Sequence, residues 1–256
     1  MTKHRLPPAG RIILIQSLPW EKEIHEETRS IFDRLPDTDD QKFHNMITNL
    51  FLSFKKLSVI LKRYQKHYKK LLDDGSSELE HYLPEIHSLD CQGRSYVLEL
   101  YDPFLLTDLE VFFTGVKTTL DILVQFFDYK YRSNLGKFSK KGKSLLNEIK
   151  RNKKVINKTQ FSDFINQNSS FLSEVKTFRD KVTHYSSLMP KKTLSFHYML
   201  DETSKSKLTR INDMLEPLIE IKEGQFTGTK QYLSDVYKKT IDFCAEFVTL
   251  CYSNTD

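Results

Sequence analysis

The sequence predicts a mainly all-α fold, and three observations support this prediction. Eight Gly and eight Pro in 256 residues are too few turn formers for a sandwich or barrel of many short strands. Hydrophobic residues make up 39% of the chain and charged residues 29%, a balance typical of a folded globule. Apolar residues also recur at helical spacing over several long stretches. We therefore expect a helical bundle with long helices and a small β-hairpin.

The first 36 residues have the weakest secondary-structure pattern of the chain. Their short apolar run, Ile12 to Ile15, soon meets polar residues and does not form the core of a signal peptide. We expect a short strand within this segment. We treat residues 1–36 as an N-terminal segment and residues 37–256 as one helical domain. Because no apolar stretch of the chain reaches the length of a membrane span, we expect a cytoplasmic protein that does not bind membranes.

Four long helices are expected in the rest of the chain. A capping box at residues 38–41 opens the first, whose apolar spacing continues to the Asp73-Asp74-Gly75 stretch. A second capping box, at residues 107–110, opens a helix that runs through Phe127. The third is expected over residues 170–189, before Pro190, with an apolar stripe formed by Phe171, Val175, Phe178, Val182, Tyr185 and Met189. The last is expected over residues 229–251, with an apolar stripe formed by Leu233, Val236, Tyr237, Thr240, Ile241, Cys244, Phe247, Val248 and Cys251.

Two short strands are expected between the third and the last helix. Residues 193–200 (TLSFHYML) and 218–222 (LIEIK) have strand-like composition, and we expect them to pair with each other. A helical stretch that begins near Ser204 should separate them.

Basic residues are concentrated in one segment, the basic insertion at residues 130–158. Between Lys130 and Lys154 stand ten Lys or Arg and a single acid, Glu148. Gly136 and Gly142 interrupt any helix, so we expect an exposed connection or a helical insertion. Such a patch attracts polyanions, although a solvated lysine-rich surface explains the same composition equally well. The candidate RNA-binding residues are Lys137, Lys140, Lys141, Lys143, Lys150, Arg151, Lys153 and Lys154.

Several common sites are not indicated. Residues 136–144 (GKFSKKGKS) end like a phosphate loop, but five residues instead of four separate the glycines, and a predicted helix precedes them. The histidines and the three cysteines lack metal-ligand spacing. Cys244 and Cys251 fall on the apolar stripe of the last helix, which indicates core packing. We expect neither a metal nor a cofactor.

One motif in the third helix, at residues 178–188 (FRDKVTHYSSL), is a candidate catalytic site. An α-helix advances about 100° per residue, so Asp180 and His184 lie almost opposite the apolar stripe through Phe178, and Arg179 lies on its flank. A surface histidine paired with an aspartate would give the same arrangement. A catalytic histidine would also need to be off the apolar stripe.

The motif resembles the Arg-x4-6-His signature of the HEPN superfamily, with Arg179, the polar Asp180 and His184 at the matching positions. The resemblance covers roughly residues 107–189, including the helix TTLDILVQFF before the motif helix. It implies a HEPN-like helical bundle with a composite site in a homodimer, acting as a metal-independent endoribonuclease in which Arg179 and His184 are catalytic and Asp180 supports them. HEPN toxins with a modified tyrosine carry it two residues after the histidine, where this chain has Ser186, so that form of control is not expected.

We therefore expect a metal-independent endoribonuclease or an RNA-binding effector of the toxin or defence type. Its expected partners are a second copy of the chain, RNA, and an antitoxin or other protein. The alternative is a non-catalytic helical interaction module, in which the motif is vestigial and the basic insertion binds an acidic partner.

Overall fold

The computed structural model describes residues 19–88, 95–98, 103–184, 196–199, 218–222 and 225–252, and these residues are mainly α-helical. The helices are α1 (Pro19–Phe32), α2 (Gln41–Ser88), α3 (Pro103–Tyr131), α4 (Lys143–Arg151), α5 (Lys158–Gln167), α6 (Ser169–His184) and α7 (Thr229–Tyr252), with a 3-10 turn at Lys140–Gly142 before α4. The strands are β1 (Ser95–Leu98), β2 (Phe196–Met199), β3 (Leu218–Lys222) and β4 (Gln225–Gly228). The predicted mainly all-α class is confirmed. None of the described helices has a stretch both long and apolar enough to cross a bilayer.

Helices α2 and α3 form an antiparallel pair at the centre of the fold. Phe43 near the start of α2 packs edge to face on Phe126 near the end of α3. Further along the pair, the Thr119 hydroxyl donates a hydrogen bond to the Ser53 hydroxyl at 3.1 Å. A Cβ on Gly115 would lie 2.8 Å from a methyl of Leu57, so the glycine lets the two helices approach closely.

The boundaries of these two helices differ from the prediction. Helix α2 continues through Gly75 to Ser88, because one glycine in a helix costs only about 1 kcal/mol relative to alanine. Its N-terminus is capped by Asp40, whose carboxylate accepts the backbone N–H of Lys42 at 2.7 Å. Helix α3 begins at Pro103, four residues before the predicted capping box, because proline is favoured in the first turn of a helix.

Helix α7 confirms its predicted range and apolar stripe. It runs over Thr229–Tyr252, and every residue predicted on the stripe is buried: Leu233, Val236, Tyr237, Thr240, Ile241, Cys244, Phe247, Val248 and Cys251.

The N-terminal segment contributes a helix that the sequence did not predict. Helix α1 buries Ile24 and Ile31 in the common core and packs against α2 and α7. The Tyr237 hydroxyl of α7 donates a hydrogen bond to the carboxylate of Glu27 at 3.0 Å. Residues 19–36 contain no strand, and the rest of the segment in which a short strand was predicted lies outside the described residues.

The basic insertion is folded and only partly exposed, which corrects the expectation of an exposed segment. A loop, the 3-10 turn, α4 and α5 follow α3, and the turn packs against α6. Phe138, Leu145, Ile149 and Val155 of the insertion are buried in the core, and Leu145 and Ile149 lie on the apolar side of the amphipathic α4. The insertion is therefore held on the helical core by its own apolar side.

The two predicted strands exist, but they do not pair with each other. Strand β2 pairs antiparallel with β1, and β3 pairs antiparallel with β4. Only two residues separate β3 from β4 in the sequence, so their hairpin closes with little loss of chain entropy. The helix predicted near Ser204 and the end of the third predicted helix, residues 185–189, lie outside the described residues.

Candidate functional site

Helix α6 carries the sequence motif and is fixed by its apolar side. Phe171, Val175 and Phe178 of the predicted stripe are buried. The ring of Phe178 stacks on that of Phe113 of α3, with 4.6 Å between the ring centroids. This contact holds the following residue, Arg179, at the edge of the core, where its side chain is partly exposed.

Asp180 is bound to two cations of its own helix. Nη1 of Arg179 donates to Oδ1 of Asp180 at 2.9 Å. Nζ of Lys176 lies 3.8 Å from Oδ2 of the same carboxylate. Both carboxylate oxygens therefore have a cationic partner on α6, and in this arrangement Asp180 orients the guanidinium of Arg179.

A buried lysine of α3 faces the motif helix. Lys117 is only 6% exposed, and its ammonium donates a hydrogen bond to Oδ1 of Asp121. Burial lowers the pKa of Lys117, the hydrogen bond to Asp121 opposes this shift, and the positive charges of Arg179 and Lys137 lower the pKa further. Lys117 stands one turn after Phe113, and the ring of Phe113 stacks on Phe178, the residue before Arg179. The contact between α3 and α6 therefore brings Arg179 to the side of α3 that carries Lys117.

Asp121 also anchors the backbone of the basic insertion beside Lys117. The same carboxylate oxygen that binds Lys117 accepts the backbone N–H of Phe138 at 2.7 Å. Phe138 follows Lys137 directly, so this bond fixes the backbone beside one of the predicted RNA-binding lysines. The group formed by Lys117, Lys137, Lys176 and Arg179, with the acids Asp121 and Asp180, has more cations than anions and is suited to holding a phosphate. We call it the α3–α6 cationic cluster.

The predicted catalytic residues lie on one helix, but only two of their side chains are described. Arg179 and Asp180 are in direct contact. His184 is the last residue of α6, and its side chain lies outside the described residues. The predicted pairing of Asp180 with His184 therefore stays a prediction.

The predicted RNA-binding residues form an exposed surface on the outside of the basic insertion. Those with described side chains are all exposed: Lys137, Lys141, Lys143, Lys150, Arg151, Lys153 and Lys154. Only the side chain of Lys140 lies outside the described residues.

Helix α4 presents one cationic face to solvent. Lys143, Lys150 and Arg151 lie on the side of α4 opposite the buried Leu145 and Ile149. Glu148, the one acid of the segment, is buried and accepts a hydrogen bond from Nε of Arg151 at 2.5 Å. Within the described residues no acidic side chain pairs with the lysines of this face, so their charge is available to a ligand.

A second cluster, which was not predicted from the sequence, lies between α2 and α3. The Asp108 carboxylate is buried, forms an ion pair with Arg63 and is hydrogen-bonded to His67 of α2. Phe104 stands one turn before Asp108, and its ring centroid is 5.4 Å from that of His67. We call these four residues the Asp108 cluster.

A sequence signal for this cluster was present. Residues 41–72 contain no Asp or Glu, and their basic residues are Lys42, Lys55, Lys56, Lys62, Arg63, Lys66, Lys69 and Lys70. A helix with so many cations and no acid indicates a surface that attracts anions.

The remaining candidates for chemistry are possible metal ligands and the cysteine thiols. Within the described ranges no three His, Cys, Asp or Glu side chains are placed to hold a metal ion together. Cys244 and Cys251 are buried in the core, and this burial raises the pKa of both thiols. The prediction that these two cysteines are core residues is confirmed.

Comparison of the chain with protein-family models finds no match, and comparisons with curated proteins and with solved structures find none either.

Proposed function

We propose that this chain binds single-stranded RNA and cleaves it without a metal ion, with Arg179 and His184 as catalytic residues and Asp180 as their support. The observation that carries the proposal is the α3–α6 cationic cluster, in which the stacking of Phe113 on Phe178 brings Arg179 of the motif to the side of α3 that carries Lys117. The resemblance of residues 107–189 to HEPN domains gives the reaction type.

The α3–α6 cationic cluster supplies fixed positive charge to a phosphodiester. An RNA phosphate carries a negative charge, and that charge spreads over more oxygens as a nucleophile attacks the phosphorus. Cations fixed in a partly buried place stabilise this charge better than mobile surface lysines, because they need not reorganise and are less screened by water. Asp121 fixes Lys117, and Asp180 fixes Arg179, which limits such reorganisation.

The exposed face of α4 supplies the path to the cluster. Its lysines stand next to the turn that packs against α6, so a bound strand would follow them toward Arg179. Contacts between lysines and phosphates are independent of sequence and release counterions. This surface therefore explains binding, and the motif helix explains cleavage.

In the proposed reaction, His184 takes the proton of a ribose 2′-OH as the general base. The 2′ oxygen then attacks the neighbouring phosphorus, and the bond from phosphorus to the 5′ oxygen breaks. The leaving oxygen takes a proton from water. The products are a 2′,3′-cyclic phosphate and a 5′-hydroxyl, and Arg179 holds the charge that develops on the phosphate.

The decisive experiment is an end-point cleavage assay on a panel of single-stranded RNAs in the presence of EDTA. We expect cleavage by the parent protein, and a rate lower by about 100- to 10,000-fold in His184→Ala or Arg179→Ala. Asp180→Ala should have a smaller effect, because Asp180 positions other groups. Matched controls are His44→Ala and Arg29→Ala, which remove the same side-chain types from other helices, and circular dichroism checks that each variant is folded.

Two results would contradict the proposal. Cleavage that persists in both His184→Ala and Arg179→Ala would assign the activity to another site or to a contaminant. A parent protein that cleaves none of the RNAs would favour the non-catalytic interaction module. The ion pair between Arg179 and Asp180 supports that alternative, because it already satisfies part of the arginine charge.

A further inference from the structure

Asp108 fixes two basic side chains at the surface between α2 and α3. Its carboxylate is 1% exposed, with Oδ1 toward Arg63 and Oδ2 at 3.1 Å from Nδ1 of His67. A buried carboxylate accepts hydrogen bonds, so Nδ1 carries the proton that points to Asp108. The other ring nitrogen, Nε2, then faces away from the carboxylate and has no hydrogen-bond partner within the described part of the chain.

Arg63 keeps much of its hydrogen-bonding capacity. Its side chain is 47% exposed, and its contact with Asp108 is through Nη2. A guanidinium has five N–H donors in a planar fork, and this fork matches the oxygens of a phosphate. With Asp108 holding one end, Arg63 is oriented beside His67, which is one helical turn further along α2 and 27% exposed.

An exposed aromatic ring completes the cluster. Phe104, in the first turn of α3, is 65% exposed and lies beside the ring of His67. A phenyl ring held in water next to two phosphate-binding groups offers a stacking surface for a planar ligand.

The surrounding face of α2 is positively charged. Lys56, Lys66 and Lys70 are exposed on the same side of the helix as Arg63, and within the described residues none of the three pairs with an acid. The acid-free stretch 41–72 therefore forms a cationic track that leads to Phe104.

We propose that Arg63, His67 and Phe104 form a second binding site for single-stranded RNA. A base stacks on Phe104, Arg63 and His67 bind a neighbouring phosphate, and the lysines of α2 bind the phosphates that follow. Asp108 acts as a positioning residue. A single-stranded nucleic acid combines planar bases with a regular row of phosphates, whereas a lipid headgroup or an acidic peptide lacks this combination. The choice of RNA rests on the proposed function.

The second site is separate from the α3–α6 cationic cluster. Asp108 faces α2 from one side of α3, and Lys117 faces α6 from the other. Binding at Phe104 needs neither Arg179 nor His184, so it goes beyond the proposed cleavage and can be tested without it.

The first test places a fluorescent reporter at the stacking position. Trp20 is the single tryptophan of the chain, so a Trp20→Phe, Phe104→Trp variant has one tryptophan, at position 104. We expect an oligonucleotide of about 10 nucleotides to quench its emission in a saturable manner. Inorganic polyphosphate, which has the charge and no bases, should compete for binding without comparable quenching.

The second test measures affinity by fluorescence anisotropy with a labelled oligonucleotide. Phe104→Ala should weaken binding by about 5- to 100-fold, and Phe104→Tyr should restore most of it, since one base-stacking contact is lost and regained. Arg63→Gln should weaken binding and reduce the slope of log affinity against log salt by about 0.7. Arg29→Gln is the matched control, because Arg29 is exposed and paired with Asp33 on α1, and it should leave affinity unchanged.

The results separate this proposal from the proposed cleavage. If the cluster serves only to join α2 to α3, Arg63→Gln lowers the melting temperature while Phe104→Ala leaves affinity unchanged, and this outcome overturns the proposal. Quenching by vesicles of phosphatidylcholine and phosphatidylserine but not by RNA would also overturn it, in favour of a lipid surface. Quenching by RNA in a protein that cleaves no RNA would support the second site and contradict the cleavage proposal alone.

Discussion

Two glycines of the basic insertion adopt the left-handed backbone region in different surroundings. Gly136 has φ +71° and Gly142 has φ +67°. A Cβ on Gly136 would meet no atom within 4 Å, whereas a Cβ on Gly142 would lie 2.6 Å from Cγ2 of Ile165 and 3.4 Å from Cδ1 of Leu172. Gly142 thus combines an unusual backbone conformation with a close approach to α5 and α6, at the start of the helix that presents the cationic face.

We predict that Gly142→Ala destabilises the protein more than Gly136→Ala. Both substitutions introduce left-handed strain of about 1–2 kcal/mol, and only Gly142→Ala adds an overlap with Ile165. Urea unfolding followed by circular dichroism measures the difference. Equal losses in the two variants would show that the contact between the turn and α5 is not tight.

At the scale of elements, α4 combines a side that is packed in the core with an exposed side that is mainly cationic. Its buried side, with Leu145 and Ile149, anchors it, and its exposed side consists mainly of cations. The anchoring matters for binding, because a fixed row of charges loses less conformational entropy on binding a strand than a flexible lysine-rich linker would.

We predict that the triple substitution of Lys140, Lys141 and Lys143 by Glu weakens binding to unrelated RNAs to a similar extent, by about 10-fold or more at low salt. The slope of log affinity against log salt should fall by about 2, since each phosphate contact on a single strand contributes about 0.7. Anisotropy titrations over a salt series provide the measurement.

Lys238→Glu is the matched control, because this lysine is exposed and belongs to α7 and not to the basic insertion. The prediction is wrong if neither added salt nor the triple substitution changes affinity, and the basic insertion is then only a solvated surface.

At the scale of the whole molecule, one chain contributes a single Arg179 and a single His184 to the proposed reaction. Helix α6 packs through Phe178 on α3 and keeps Arg179 and Asp180 partly exposed. In the family that the motif resembles, two such helices meet and form a composite site. A two-fold arrangement would place two arginines and two histidines around one phosphate.

We predict that the protein is a homodimer with the helices over residues 170–189 near the two-fold axis. Light scattering at micromolar concentration should give twice the mass of the chain. A charge reversal at the proposed axis, Asp180→Lys, should shift the protein toward the monomer, while Asp163→Lys on the exposed side of α5 should not. A monomer in the parent protein would remove the composite-site arrangement.

Sequence periodicity by itself determined the helical class, the full range and buried stripe of α7, and the burial of Phe171, Val175 and Phe178. These features follow from local spacing, because a side chain's position on a helix depends only on its place in the sequence. The sequence also located the cations of the basic insertion, since exposed lysines keep their charge in any fold.

Tertiary structure alone decided which charges meet. Lys117 and Arg179 are 62 positions apart in the numbering, and Arg63 and Asp108 are 45 apart, so no periodicity links them. Their proximity depends on the packing of α3 against α6 on one side and α2 on the other. The pairing of β1 with β2 likewise joins segments about 100 residues apart. Local propensity can indicate a strand, but it cannot predict this partner, because the pairing depends on contacts between residues far apart in the sequence.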